Sequence, residues 1–299
     1  MIKLSGLIPA VFTPFDKTGA INFSQIQPYA NKLIDDGANG VFVCGSTGEC
    51  SSMTLLERKR VLETWVKAVA GRIRVIAHVG GTCQADCIEL ANHAVEQGVD
   101  AVGAIAPFYF KPATVEELVA FYKPIADTIY PIPFYAYHMP SVTGVSLPMK
   151  EFLEKGSCKM PNLNGIKFTS NNFMEMLECI RLDDGRFDIL NGFDEMLLCG
   201  LAVGAQGGVG STYNYSLSTY RNLYNAFLSG NMDQARYFQQ ESVEIVRVII
   251  RHGGGIRGGK AIMNYLGIDC GNCRPPFAPY TESEMYQLGE ELSQIGFVK

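Results

Sequence analysis

Three short segments of this chain carry side chains able to make and break carbon–carbon bonds. In Gly165-Ile166-Lys167-Phe168-Thr169 an ammonium group interrupts an apolar run. Read as a strand, with side chains alternating between faces, the segment sends Ile166 and Phe168 toward packed helices and Lys167 into a barrel interior. An amine taken out of water favours its neutral form, and a neutral amine attacks a ketone to form an imine. Once protonated, the imine is an electron sink for the carbanion left when the adjacent C–C bond breaks, which is the central difficulty of aldol cleavage. A lysine at a strand end more often lays its stem along apolar surface and keeps its charge in solvent, so Lys167 decides nothing alone.

The second segment, Pro133-Phe134-Tyr135-Ala136-Tyr137-His138-Met139-Pro140, puts Tyr135 and Tyr137 on one face of a strand, with Tyr137 at the C-terminal end where barrel active sites sit. A phenol there can assist loss of water during imine formation and exchange a proton with a substrate hydroxyl. Aromatic residues on strands are more often core, and that alternative stays open. In the third segment, Gly45-Ser46-Thr47-Gly48-Glu49, glycines let backbone amides approach a ligand and two hydroxyls can donate to a carboxylate. The same composition also builds ordinary turns.

The elements that must position these groups follow from the hydrophobic pattern. Eight short runs rich in Val, Ile, Phe and Ala recur: 7–11, 40–44, 74–79, 101–106, 133–137, 165–168, 188–190 and 205–210. A longer amphipathic stretch follows each, which is the signature of βα units around a parallel sheet. Thr54 with Glu57, and Thr114 with Glu117, have the spacing of helix capping boxes. A doubly wound sheet would also alternate strand and helix, but its first turn carries a glycine-rich phosphate loop and Pro9 to Thr13 has none. The expected fold is an α/β, TIM (β/α)8 barrel over 1–215. Segments 218–228, 232–251, 260–266 and 281–295 read as a C-terminal helical extension, 216–299, packed on the barrel as one structural unit.

Composition sets the outer limits. The 299 residues suit one large barrel or two ordinary domains. They are 47% apolar with a net charge of -5, no apolar run is long enough for a membrane span, and basic residues are scattered. Nucleic acid and membrane are thus not expected partners. The N-terminus lacks the long apolar core of an export signal, and the nine cysteines lie in apolar surroundings as reduced thiols, so a cytoplasmic protein is expected.

The three segments, with Thr143-Gly144 after the tyrosine motif and Gly208-Val209-Gly210-Ser211 on the eighth run, resemble the N-acetylneuraminate lyase and dihydrodipicolinate synthase superfamily of class I aldolases. The resemblance covers essentially the whole chain. It implies Lys167 as the Schiff-base lysine, Tyr137 as the catalytic phenol, and Ser46 with Thr47 as donors to a pyruvate carboxylate, Ser46 counting among the catalytic residues. Thr169 and Ser211 join the implied substrate-binding set. A homotetramer without cofactor or metal is expected. The synthases usually hold an arginine two residues after the proline of the tyrosine motif, where Val142 stands here. Gly192-Phe193-Asp194-Glu195 looks instead like the lyase pattern, in which Gly192, Asp194 and Glu195 meet sugar hydroxyls. Carboxylates accept well from polyols. Asp194 and Glu195 also make a favourable first turn for a following helix. The implied activity is cleavage of N-acetylneuraminate to pyruvate and N-acetyl-D-mannosamine. The alternatives are a sibling aldolase such as the synthase, or a sugar-acid sensor without turnover.

His138 departs from the asparagine common after the catalytic tyrosine, where it could alter the hydrogen bond that orients the phenol. Tyr109 matches a relay tyrosine of the synthases. Other motifs are set aside. Gly254 to Lys260 has the spacing of a phosphate loop but lacks the following hydroxyl and reads as a connection between helices. Cys270-Gly271-Asn272-Cys273 has no second ligand pair for zinc.

Overall fold

The computed structural model describes residues 3–297. All eight expected strands form, each shifted by no more than two residues at either end: β1 (Gly6–Pro9), β2 (Gly40–Val43), β3 (Arg74–His78), β4 (Ala101–Ile105), β5 (Phe134–His138), β6 (Leu163–Phe168), β7 (Asp188–Asn191) and β8 (Gly207–Gly210). They are buried along nearly their whole length, as parallel strands covered on both faces must be. Their order in the sheet is β1-β8-β7-β6-β5-β4-β3-β2. Beyond the ends of β1 and β2, Ala10 bridges Phe42 in parallel, and Asn39 N donates to Leu7 O, so the first two strands are also neighbours. This order, with a helix after each strand, is that of a (β/α)8 barrel.

The helices are α1 (Ile26–Asp35), α2 (Leu55–Val69), α3 (Gln84–Glu96), α4 (Val115–Thr128), the single turn α5 (Pro140–Thr143), α6 (Met149–Ser157), α7 (Phe173–Arg181) and α8 (Leu197–Ala202). After β8 come α9 (Tyr213–Leu228), α10 (Met232–Arg251), α11 (Gly254–Tyr265) and α12 (Glu282–Gln294), the expected C-terminal helices. Both expected capping boxes are present, Thr54 with Glu57 on α2 and Thr114 with Glu117 on α4. One expectation is corrected. Gly254 to Lys260 is not a connection but the first half of α11. A Cβ at Gly259 would lie 2.5 Å from the Phe12 ring, and one at Gly258 2.9 Å from Ile249 O. Close packing there outweighs the low helix propensity of glycine. Among the described residues no helix is long and apolar enough to cross a membrane.

Two compact units share the chain, Met1–Gly6 with Arg74–Val209 and Leu7–Ile73 with Gly210–Lys299. A polar network holds the strand starts of the first. Tyr135 Oη donates to Asp188 Oδ2 at 2.7 Å, Asn164 Nδ2 donates to the same phenol at 2.6 Å, and Leu4 N donates to Asp188 Oδ2 at 2.7 Å. Gly165 sits in the tightest part of it, where a Cβ would fall 1.7 Å from Asp188 O. In the second unit Asn214, fully buried at the start of α9, accepts from Tyr29 Oη at 2.5 Å and donates to Ala10 O and Ser211 O at 2.7 Å each. Buried polar groups satisfied in this way cost little and fix the neighbouring backbone.

Burial lifts the Asp188 carboxyl from 3.8 to about 6, against the opposing hydrogen bonds from Tyr135 and Leu4. The folded state therefore favours the protonated acid. This stabilisation is complete below the unfolded value of 3.8 and is lost as pH rises through about 6. Asp188→Asn removes that titration. Between pH 4 and 7 the difference in unfolding free energy should move in the variant's favour by about 2–3 kcal/mol, read from urea melts at several pH values. Parallel pH profiles for the two proteins would show that Asp188 does not titrate in this range.

Candidate active site

The C-terminal ends of β5 and β6 bring the two expected catalytic groups together. Parallel pairing sets Tyr135 beside Gly165 and Tyr137 beside Lys167, so each pair shares a face of the sheet. Lys167 is only 6% exposed, and its Nζ lies 4.1 Å from the centroid of the Tyr137 ring. The amine thus lies over the aromatic face, largely shielded from water. The phenol of Tyr137 donates to Met139 Sδ at 3.0 Å.

His78, at the end of β3, packs edge-on against Tyr137 with ring centroids 6.0 Å apart. Its Nε2 accepts from Ile105 N at 3.2 Å, which assigns the proton of the neutral ring to Nδ1. The sequence reading passed over His78; its signal was a histidine at the end of an apolar strand, the position at which barrel side chains meet substrate. His138 belongs elsewhere. Strand alternation turns it away from Tyr137, and its ring stacks on Phe168 at 5.2 Å. Burial pushes the imidazole down to about 4, so at neutral pH it is an uncharged packing group. The hydrogen bond from the Tyr137 phenol to Met139 does not involve it.

Thr169 follows β6, and its buried Oγ1 has no hydrogen-bond partner among the described residues. Gly192 lies against it: Gly192 N donates to Phe168 O at 2.9 Å, and a Cβ on Gly192 would sit 1.9 Å from Thr169 Oγ1. Asn191 then folds the following turn by donating from Nδ2 to Phe193 O at 2.5 Å. Asp194 and Glu195 open a short 3-10 turn before α8, Asp194 buried and Glu195 half-buried. Val142, on α5, is 60% exposed, and Tyr109 lies exposed next to Phe110 with the rings edge to face at 5.0 Å.

Ser46, Thr47 and Ser211 belong to the second unit. The loop 45–49 is a closed turn, with Glu49 N donating to Ser46 O at 3.0 Å and Cys50 N to Gly45 O at 3.3 Å. Thr13 Oγ1 donates to Gly48 O at 2.8 Å. Its glycines are sterically required, since a Cβ at Gly45 would meet the Phe42 ring at 2.7 Å and one at Gly48 would meet Val11 O at 3.1 Å. The turn leaves the Ser46 and Thr47 side chains half-exposed. Ser211 follows β8 and faces Gly255 at the start of α11. Lys260, which the sequence offers only as the end of a rejected phosphate-loop spacing, has another place. It lies buried on α11, and its Nζ pairs with Glu49 Oε1 at 2.6 Å. No local pattern marks a contact between residues so far apart in the chain.

Within the first unit a buried lysine lies against a strand tyrosine, and a buried amine is the group that imine formation requires. Known proteins carry the same frame. Human N-acetylneuraminate lyase is 38% identical over 302 residues, spanning 99% of this chain and 94% of the relative. The structure of Proteus mirabilis N-acetylneuraminate lyase superposes with a TM-score of 0.96 at 37% identity, covering 99% of this chain and all of that one. A dihydrodipicolinate synthase from Bacillus anthracis gives a TM-score of 0.91 at 29% identity, covering 98% of this chain and 99% of that one. The fold is thus the TIM barrel, and since the model of the dihydrodipicolinate synthetase family matches residues 3–295, the chain belongs to that family.

Proposed function

We propose that this chain is a class I aldolase, a carbon–carbon lyase that reversibly cleaves N-acetylneuraminate to pyruvate and N-acetyl-D-mannosamine. The carrying observation is the Lys167 amine, buried and 4.1 Å from the Tyr137 ring. Relatives named as N-acetylneuraminate lyases at 35–40% identity support the same choice of substrate.

In the proposed reaction the neutral Lys167 amine adds to the C2 ketone of the open-chain sugar acid. The carbinolamine loses water to give a protonated imine, with Tyr137 passing the proton to the departing oxygen. Tyr137 then takes the proton of the C4 hydroxyl as the C3–C4 bond breaks. The electron pair flows into the imine and leaves an enamine, and the C4 oxygen becomes the aldehyde of N-acetylmannosamine. Protonation at C3 and hydrolysis release pyruvate and regenerate the amine. Ser46 and Thr47 hold the carboxylate. Thr169 and Ser211 line the bound substrate, while Gly192, Asp194 and Glu195 receive the sugar hydroxyls. The buried, unpartnered hydroxyl of Thr169 and the buried carboxylate of Asp194 favour a polyhydroxylated substrate. The exposed, uncharged Val142 speaks against a second substrate carboxylate there. The assembly we propose is a cytoplasmic homotetramer, as the family resemblance implies.

Pyruvate with borohydride should add one adduct, mapping to Lys167 by peptide mass, and Lys167→Arg should abolish both adduct and turnover. An adduct on Lys111 or Lys260 would sink the assignment. Tyr137→Phe keeps the packing of the ring and should fold normally while turnover falls by roughly a hundred- to ten-thousand-fold, the usual contribution of an acid-base group. Near-parental turnover would make Tyr137 a core residue only. Asp194→Ala should cripple sialic acid cleavage yet leave pyruvate imine formation intact, because buried acceptors that lose their hydroxyl partners discriminate strongly. The parent protein should release pyruvate from N-acetylneuraminate and fail to condense pyruvate with aspartate semialdehyde; the reverse outcome would make it a synthase.

A further inference from the structure

Two segments left unused by the proposed chemistry, Gly254 to Lys260 and Cys270 to Arg274, converge on the turn that carries Ser46 and Thr47. Lys260 is 1% exposed, and besides its ion pair with Glu49 its Nζ lies 3.3 Å from Asn272 O and 4.0 Å from the centroid of Phe15. The other carboxylate oxygen of Glu49 accepts from Arg274 N at 2.9 Å. Arg274 is itself held on the same ring, 4.4 Å from the centroid of Phe15. Its guanidinium donates to Ser52 O and Gly19 O at 2.8 Å each and to both oxygens of Glu57. Those hydrogen bonds hold the Glu57 carboxyl down at about 2.

Two observations separate this pair from an ordinary stabilising contact. Glu49 is a non-glycine residue at φ +56°, a conformation that L side chains adopt only when their surroundings impose it. The pair is also dry, and two ions removed from water gain little over apolar groups of the same shape. What the pair does supply is geometry. Glu49 closes the turn through its N–H to Ser46 O, so holding its side chain in one place fixes the backbone that presents both hydroxyls.

We infer that Glu49 and Lys260 are positioning residues: without touching substrate, their buried ion pair sets the geometry of Ser46 and Thr47 and thereby the affinity for the carboxylate of a 2-keto acid. The inference rests on the reading above that those hydroxyls receive the carboxylate.

The test compares the parent with Glu49→Leu/Lys260→Met, which replaces the pair by apolar groups and leaves no buried charge alone. Borohydride trapping on Lys167 is followed against the concentration of pyruvate and, separately, of methyl pyruvate, which keeps the ketone but lacks the carboxylate. The double variant should melt close to the parent. Its half-saturating pyruvate concentration should rise at least about tenfold, with the trapping rate at saturation within about threefold of the parent. Methyl pyruvate should be trapped alike by both proteins. If the double variant does not fold, Glu49→Gln, which keeps an acceptor for Arg274 N but loses the charge, serves the same comparison. An unchanged half-saturation for pyruvate overturns the inference, as does an equal loss for acid and ester. A parent that takes up no pyruvate on Lys167 overturns the catalytic reading first, and this inference with it.

Discussion

The register between β5 and β6 is the constraint on which the rest of the site depends. Because side chains alternate with a period of two, the pairing that sets Tyr135 beside Gly165 also sets Tyr137 beside Lys167. One pair anchors the strand starts and the other carries the proposed chemistry. At the strand starts Gly165 has no side chain, so Asp188 and Tyr135 can close a hydrogen-bonded plug. Two residues further on, the same alignment brings an amine over a phenol ring. A slip of one residue would put Tyr137 and Lys167 on opposite faces and at the same time break the plug.

The strands were legible because burial on both faces demands nearly continuous apolar runs, and a run interrupted by a single lysine or tyrosine shows where the interior lies. Lys167 and Tyr137 could be read in this way. Alternation also contained the answer for His138, whose outward direction follows from its place next to Tyr137 on the strand. Neighbours in sequence along a strand take opposite faces. The glycines of α11 misled for another reason. Propensity is local, whereas the contacts that make Gly258 and Gly259 necessary come from Ile249 and Phe12.

The turn 45–49 shows the limit of a linear reading. Its glycines and hydroxyls stand out in the sequence, but the groups that hold it do not. Lys260 and Arg274 lie more than two hundred residues from Glu49. A lysine preceded by two glycines has the look of a phosphate loop, and only packing against Phe15 and Glu49 gives it a different meaning. Polar residues whose local pattern is absent or misleading, such as Asn191 and Lys260, are found by what surrounds them in space.

The turn 191–195 is built from its own parts. Asn191 folds it, the missing Cβ of Gly192 lets it lie on Thr169, and Asp194 and Glu195 open the 3-10 turn that follows. Lys167 and Tyr137, which carry the proposed imine chemistry, are not among them. An engineer or a lineage in search of a different acceptor aldehyde can therefore rewrite two side chains on a preformed scaffold and inherit the carbon-bond chemistry unchanged. Gly192 is the position that tolerates no such revision, because any larger residue there would push the hydroxyl of Thr169 out of its place.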